Sequence, residues 1–314
     1  MIKHTLAAVA LGLSMNAAMA EDINFGLIST EASTNLKSDW QPLFEDMAKQ
    51  TGLTIKPFFA SDYAGVIEGM RFNKVQVAWF GNKSAMEAVD RANGEIFAQM
   101  VNADGTEGYY SHMIVNADSP IKSLDDILKN GKSLSFSNGD PNSTSGFLVP
   151  GYYVFARNKI DAKSFFKTVR SANHEANALA VANKQVEVAT NNSENLEKIR
   201  ERQPAKLKDI RVVWTSPLIP LDPLVMSKNV SPEAAAKIKA FIYGYGKTDA
   251  REKEVLMKIS KLSGFKPSTN DQLKPIRELA LFSQRNKIEA DTTLEANAKA
   301  AKLAELDQKL AALK

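Results

Sequence analysis

Hydroxyl side chains are concentrated between Asp140 and Gly146, where Ser143, Thr144 and Ser145 follow one another. The stretch follows a predicted strand and opens a predicted helix, so unpaired backbone N–H groups and three hydroxyls meet at the positive helix end. Such a helix start favours a small tetrahedral oxyanion. Because no lysine stands in the P-loop position, a nucleoside triphosphatase site is excluded here. The structural alternative is an ordinary N-cap with turn residues.

A histidine opens another predicted helix directly after a strand, in the sequence Asn173-His174-Glu175. Open α/β sheets bind ligands at the carboxyl ends of their strands, so His174 is a second candidate donor to the oxyanion. The alternative is a solvated histidine at a surface cap. His112 falls inside a predicted strand and is interpreted as structural.

Two carboxylates occupy sequence positions that are expected to line a cleft. Glu194 follows a strand end at the start of a helix, and Asp222 lies in a proline-flanked connection. Acidic groups in a cleft favour a cation, and Tyr63 and Tyr109, each at the start of a predicted element, could flank an ammonium group. Packing is the alternative role for each tyrosine.

A hydrolase is the competing class of function. Ser143 or Ser145 with His174 and either Glu194 or Asp222 would make a Ser-His-acid set. The sequence has no G-x-S-x-G elbow, however, and such residues recur by chance. We therefore predict a binding protein with no catalytic residue.

Composition narrows the class further. The chain has 314 residues, 44% of them hydrophobic and 24% charged, which predicts a folded protein of about two domains. The absence of cysteine excludes disulfides, thiolate metal sites and a cysteine nucleophile, and three histidines argue against a zinc centre. We predict no cofactor and no bound metal. The net charge of +4 is spread along the chain, which argues against nucleic-acid binding.

The first twenty residues have the pattern of a secretory signal peptide. Lys3 precedes an apolar run at residues 6–13, and Ala18-Met19-Ala20 resembles a cleavage site. The run is less than half of the ~20 residues that a membrane span needs, so a retained anchor is the weaker interpretation. We predict cleavage after Ala20 and a periplasmic protein.

Short apolar runs alternate with amphipathic segments, which predicts an α/β fold with largely parallel sheets flanked by helices. The predicted strands cover residues 23–28, 53–59, 75–80, 96–101, 109–115, 133–136, 168–171, 186–190, 211–214 and 224–227. Everything after residue 227 is predicted to be helical. Two crossovers predict one lobe from 21–117 and 223–293, and a second from 118–222.

The last segment, 294–314, is predicted to be a charged helix outside both lobes. Leu303, Leu306, Leu310 and Leu313 follow the spacing of a coiled-coil seam. Two heptads are short for a free coiled coil, so packing onto its own lobe is favoured. A homodimer through this helix is the alternative.

The sequence resembles the periplasmic phosphonate-binding proteins of ABC transporters, and the resemblance spans nearly all of residues 23–282. The stretches that carry it are 25–31, 62–65, 69–74, 84–94, 138–153, 174–175, 177–186, 189–192 and 216–220. It implies a two-lobed type II periplasmic-binding fold, in which each lobe is a mixed sheet flanked by helices, with two crossovers and a helical C-terminal extension. Such a protein closes on its ligand and delivers it to an inner-membrane permease and its ATPase.

The resemblance also implies roles for eight residues. The phosphonate end of the ligand falls on Ser143, Thr144, Ser145 and His174, and the aminoalkyl end falls on Tyr63, Tyr109, Glu194 and Asp222. The implied ligand is 2-aminoethylphosphonate, and phosphate, phosphite or simple alkylphosphonates are the alternatives. Phe80, in place of an expected tyrosine, and Lys83 depart from the family pattern, which leaves the fine specificity open.

Overall fold

The computed structural model describes residues 21–313. The predicted leader and its cleavage site after Ala20 lie outside the described residues. Within 21–313, no helix combines the length and apolarity needed to cross a bilayer.

Thirteen strands are formed in the described part of the chain. They are β1 Asp22–Leu27, β2 Thr54–Phe59, β3 Val77–Trp79, β4 Gly94–Asn102, β5 Gly108–Tyr109, β6 Ser111–Asn116, β7 Ser135–Asn138, β8 Thr168–Ser171, β9 Val188–Asn192, β10 Ile210–Thr215, β11 Ile219–Pro220, β12 Pro223–Ser227 and β13 Leu262–Pro267.

Twelve α-helices accompany them in the same residues. They are α1 Ser33–Thr51, α2 Tyr63–Arg71, α3 Asn82–Arg91, α4 Leu124–Asn130, α5 Ala162–Phe165, α6 His174–Ala182, α7 Ser193–Arg202, α8 Pro204–Lys208, α9 Pro232–Gly244, α10 Ala250–Ser260, α11 Lys274–Ala290 and α12 Ala296–Ala311. Two π-helical segments, Thr144–Leu148 and Gly151–Phe155, and 3₁₀ turns at Gly131–Ser133, Ala156–Asn158 and Asn270–Leu273 complete the described part of the fold.

The first lobe is built on a six-stranded sheet in the order β13-β4-β12-β3-β1-β2. β1 pairs in parallel with β2 and β3, whereas β12 and β13 run antiparallel to their neighbours. The apolar residues of β1 face the apolar stripe of helix α1, and Phe25 packs there against Trp40 and Phe44 in the core. Strands β1 to β4 run in one direction, and the two strands that the returning chain adds, β12 and β13, run against them, so the predicted mixed sheet is confirmed.

The second lobe is built on a five-stranded sheet in the order β10-β6-β9-β7-β8. β7 pairs in parallel with β8 and β9, and β6 and β10 are antiparallel. Phe136 of β7 stacks on Phe166 in a separate core. The two lobes thus have separate cores, which meet where Val149 and Trp214 of the second lobe pack against the first.

Two short strands form the connection between the lobes. β5 pairs with β11 as an antiparallel ribbon, with Tyr109 opposite Ile219. β6 already belongs to the second sheet, so the pairing changes sheet before residue 111 and not after 117. We retain the division into two lobes as a proposal, with both boundaries moved to the ribbon, so that Asp222 belongs to the first lobe.

Two local predictions were wrong. Strand β13 interrupts the segment after residue 227, which was predicted to be wholly helical. It was missed because its sequence has only two strong apolar residues and includes Gly264, which gives a weak strand pattern. The helix expected from Ser143 begins there, but as a π-helical segment in which the N–H of Leu148 donates to the carbonyl of Ser143. Pro150, which lacks an N–H, cannot donate to the Gly146 carbonyl as a regular α-helix requires, and the chain continues into the second π-helical segment, Gly151–Phe155.

The C-terminal helix α12 packs against α11, and Arg285 pairs with Asp307 between them. Leu306 and Leu310 are buried in this contact, while Leu303 and Leu313 are half-buried. The seam is thus covered largely within the chain.

Candidate ligand-binding site

All eight residues singled out from the sequence line one cavity between the lobes. The phosphonate-end residues are Ser143, Thr144, Ser145 and His174, and the amine-end residues are Tyr63, Tyr109, Glu194 and Asp222. The cavity has a volume of about 50 Å³. A space of this size suits a ligand of a few non-hydrogen atoms.

Strand ends explain why these residues meet. In the second lobe, β7 leads to the hydroxyl stretch, β8 leads to His174, and β9 leads to Glu194. These three strands are parallel, so their carboxyl ends share one edge of the sheet. Asp222 reaches the same cleft from the first lobe because it stands at the start of β12, which runs antiparallel to β3.

Glycine allows the hydroxyl stretch to fold tightly. A Cβ atom on Gly139 would lie 2.5 Å from the Cα of Gly146, which is too close. Only glycine at position 139 therefore lets the two backbone segments approach each other this closely. The N–H of Gly139 instead donates to the carbonyl of Gly146 at 3.0 Å. This contact fixes the three hydroxyl residues against the end of β7.

The phosphonate-end side chains form one cluster. Nε2 of His174 lies 3.4 Å from the Ser143 hydroxyl and 3.5 Å from the Ser145 hydroxyl. Asn192 donates from Nδ2 to the Ser145 hydroxyl at 3.0 Å. Burial lowers the pKa of His174 to about 4, so the imidazole is neutral at pH 7. The cluster therefore offers neutral donors to an anion.

Unpartnered polar atoms also point to a ligand in this cavity. Within residues 21–313, two buried side-chain atoms lack a hydrogen-bond partner, Nδ1 of His174 and Oδ1 of Asn195. Both residues line the cavity. Buried polar groups in folded proteins are almost always bonded, so these atoms fit a site that binds a polar molecule.

The opposite end of the cavity is acidic. Asp222 accepts a hydrogen bond from Nε1 of Trp79 at 3.0 Å and another from the Tyr109 hydroxyl at 3.2 Å. Trp79 is held in place by stacking on Trp40, with ring centroids 5.5 Å apart. Burial and then the neighbouring Glu194 carboxylate raise the pKa of Asp222 well above its usual range.

Glu194 completes the acidic end. Burial between the lobes raises the pKa of Glu194 to about 7, while the Lys198 ammonium acts in the opposite direction. Two carboxyl groups that share one closed pocket resist being ionised together. A ligand that brings a positive charge between them relieves this repulsion.

This charge arrangement predicts that the stability of the ligand-free protein decreases as the pH rises. The pKa of Glu194 is raised from 4.5 to about 7, so the native chain binds more protons than the unfolded chain between those values, and stability falls as pH rises through them. Glu194→Gln should therefore raise the melting temperature of the ligand-free protein at pH 8, by ~2–4 °C for each ~1 kcal/mol relieved. At pH 4.5 the change should be near zero. Calorimetric melting at both pH values checks this, and an equal shift at both would contradict it.

Contacts across the cavity join the two lobes. The backbone N–H of Lys83 donates to the Thr144 hydroxyl at 2.8 Å, and the N–H of Tyr63 donates to Asp140 at 3.2 Å. A Cβ atom on Gly81 would lie 3.2 Å from the Thr144 hydroxyl oxygen, so glycine there permits the close approach. The lobes are thus closed around the cavity.

The two departures from the family pattern lie in different surroundings. Phe80 is fully buried in the core of the first lobe and does not line the cavity. Lys83 turns its ammonium toward Glu87, 3.4 Å away, and contributes only its backbone N–H to the contact with Thr144. His112 bonds the Thr215 hydroxyl across a strand pair, which fits its predicted structural role.

Two of the residues that sequence reasoning missed bond directly to predicted site residues. Trp79 bonds Asp222 from a position 143 residues earlier in the chain, and Asn192 bonds both Ser145 and His174. Asn192 had a usable signal, because it ends a strand two residues before Glu194 and caps the helix that carries it. Trp79 had none, because a tryptophan at a strand end is usually core.

The chain is similar to known proteins of one family. Residues 25–273 match the model of the family described as "ABC transporter, phosphonate, periplasmic substrate-binding protein". The chain is 56% identical over 288 residues to the phosphonates-binding periplasmic protein of Escherichia coli K12, covering 92% of this chain and 84% of that protein. It is 30% identical over 231 residues, 70% of each chain, to a phosphate-import protein of Mycolicibacterium smegmatis.

A solved structure gives the same result for the fold. The binding-protein component of an ABC phosphonate transporter from Pseudomonas aeruginosa is 56% identical, with a TM-score of 0.92 over 94% of this chain and 97% of that one. The predicted two-lobed type II periplasmic-binding fold is confirmed. The hydrolase alternative is rejected, because the family and these relatives are binding proteins of transport systems. The chain belongs to the family of periplasmic substrate-binding proteins of phosphonate ABC transporters.

Proposed function

We propose that the chain captures 2-aminoethylphosphonate in the periplasm. The observation that carries this proposal is a cavity with neutral donors at one end and two carboxyl groups at the other. Ser143, Thr144, Ser145 and His174 hold the phosphonate oxygens in this proposal. Glu194 and Asp222 hold the ammonium group, with Tyr63 and Tyr109 against the carbon chain.

Neutral donors suit a carrier that must release what it binds. Hydroxyls and helix-end N–H groups bind a dianion strongly inside a closed, dry cleft. Opening the lobes returns these groups to water, which weakens the binding. Affinity therefore depends on lobe closure, and the carboxyl pair adds selection for a positive charge at a fixed distance from the anion.

Phosphate is the second candidate, because the Mycolicibacterium relative is named for phosphate import. Phosphite and simple alkylphosphonates belong to the same alternative, since each needs the hydroxyl cluster only. Isothermal titration calorimetry of the purified chain with 2-aminoethylphosphonate, methylphosphonate, phosphite and phosphate separates the candidates. The proposal requires 2-aminoethylphosphonate to bind most tightly, and equal or tighter binding of phosphate would replace it.

Lobe closure on the ligand is expected to be visible in solution. The phosphonate-end residues belong to the second lobe, whereas Tyr63 belongs to the first, so ligand bridges the cleft. The radius of gyration from small-angle X-ray scattering should decrease when 2-aminoethylphosphonate saturates the protein. An unchanged radius at saturation would contradict a clamp.

We further propose that the leader is cleaved after Ala20 before the protein captures its ligand. In this proposal the closed, ligand-bound form then docks on an inner-membrane permease with its ATPase. A homodimer through residues 294–314 has less support, since Leu306 and Leu310 are already buried within the chain. Analytical ultracentrifugation of the full chain decides between monomer and dimer.

A further inference from the structure

Four charged side chains cross the gap between the lobes, and two of them, Glu31 and Lys198, also line the ligand cavity. Asp39 and Glu31 come from the first lobe, and Lys198 and Arg202 come from α7 of the second. Nζ of Lys198 lies 2.7 Å from Oδ2 of Asp39, and the Arg202 guanidinium pairs with both Asp39 and Glu31. We call these four residues the interlobe ion cluster.

The cluster is shielded from water. The side chains of Asp39 and Glu31 are each 6% exposed, so their charges are only weakly screened. Burial raises the pKa of Glu31, and Arg202 and Lys198 act against that rise. Lys258 of the first lobe adds a more distant contact, with its Nζ 4.0 Å from Oδ1 of Asp39 and its side chain 54% exposed. The two carboxylates therefore have the near cations Lys198 and Arg202 only while the lobes are together.

Helix α7 connects the cluster to the ligand. Glu194, Lys198 and Arg202 are spaced four residues apart, so they lie along one face of the helix. A movement that brings Glu194 to the ligand therefore brings both cations to their partners in the first lobe. Arg200 of the same helix differs, since it pairs with Glu197 within α7 and is 63% exposed.

We propose that the interlobe ion cluster is a closure latch, and that Arg202 is a positioning residue which strengthens the binding of every phosphonate without touching it. The inference rests on the lobe closure of the proposed function, but not on the identity of the ligand. Loss of the latch reduces the closed fraction of the protein, and apparent affinity falls by the same factor.

Arg202→Met is the direct test, because Arg202 does not line the ligand cavity. We expect the dissociation constants of methylphosphonate and 2-aminoethylphosphonate to rise by a similar factor, about tenfold, within the usual range of coupling between sites. The dissociation rate measured by stopped flow should rise with them, because opening becomes faster. Arg202→Lys, which keeps the charge but not the fork, should give an intermediate affinity.

Arg200→Met is the matched control, with the same change on the same helix and, within residues 21–313, no salt bridge to the first lobe. Its affinities should equal those of the unmodified chain, and melting temperatures of the ligand-free variants check that each is folded. Unchanged affinity in Arg202→Met, or a loss confined to one ligand, would overturn the latch. Whether the unmodified chain prefers the aminated ligand is measured separately, so the two proposals fail independently.

Discussion

Glu194→Gln is expected to lower the affinity for 2-aminoethylphosphonate by ~2–5 kcal/mol, roughly 30-fold to 5,000-fold. The same variant should bind methylphosphonate as well as the unmodified chain does, or better. The reason is electrostatic, because the carboxyl pair repels a bound dianion and only a ligand ammonium offsets that cost. Glutamine keeps the shape of the side chain, so calorimetry with both ligands separates charge from packing.

Asp222→Asn should act in the same direction. An asparagine can accept from Trp79 through Oδ1 and donate from Nδ2 to the Tyr109 hydroxyl oxygen, so the bonds that hold the side chain are retained. Losses of equal size for both ligands would show that these carboxyl groups hold the lobes together instead of recognising an amine. Simple phosphonates or phosphate would then be the better ligand.

Thr144→Val and His174→Ala are expected to weaken all phosphonates alike. Each loses a hydrogen bond to a charged group, which typically costs about 1.5–3 kcal/mol, or roughly tenfold to a hundredfold in affinity. Thr144→Val also removes the acceptor for the Lys83 N–H across the cleft, so it should have the larger effect. Titration calorimetry with aminated and non-aminated ligands measures both.

Two matched controls keep this result specific. Thr51→Val removes a buried hydroxyl that bonds the Met47 carbonyl, far from the cavity. His112→Ala removes a buried imidazole that bonds Thr215. Both are expected to change stability and leave affinity unchanged. An effect of the Thr144 or His174 variant on aminated ligands alone would mean that the wrong end of the ligand was assigned to these residues.

The sequence predicted best what depends on neighbouring residues. Alternating patterns located most strands, and strand-to-helix junctions located Ser143, His174 and Glu194, because a parallel sheet gathers such junctions at one edge. Their roles in binding stay predictions until variants are measured. The weak pattern of β13 and the π-helical form of the turn after Ser143 depend on packing that no local pattern records.

Contacts between segments that are distant in the chain could not be predicted from the sequence. Arg202 meets Glu31 across 171 residues, and Trp79 meets Asp222 across 143. Each partner taken alone is an ordinary surface charge or core aromatic. Only the folded arrangement of two lobes shows that the same helix carries both a cavity carboxylate and the interlobe cations.

The crystal structure of the chain with 2-aminoethylphosphonate bound is the most direct test of the two-ended site. We predict phosphonate oxygens within hydrogen-bond distance, about 2.7–3.2 Å, of Ser143, Thr144, Ser145 and His174. The ammonium nitrogen should lie at a similar distance from the carboxylates of Glu194 and Asp222. A ligand bound the other way round, or one whose ammonium points to bulk water away from both carboxylates, would contradict the account.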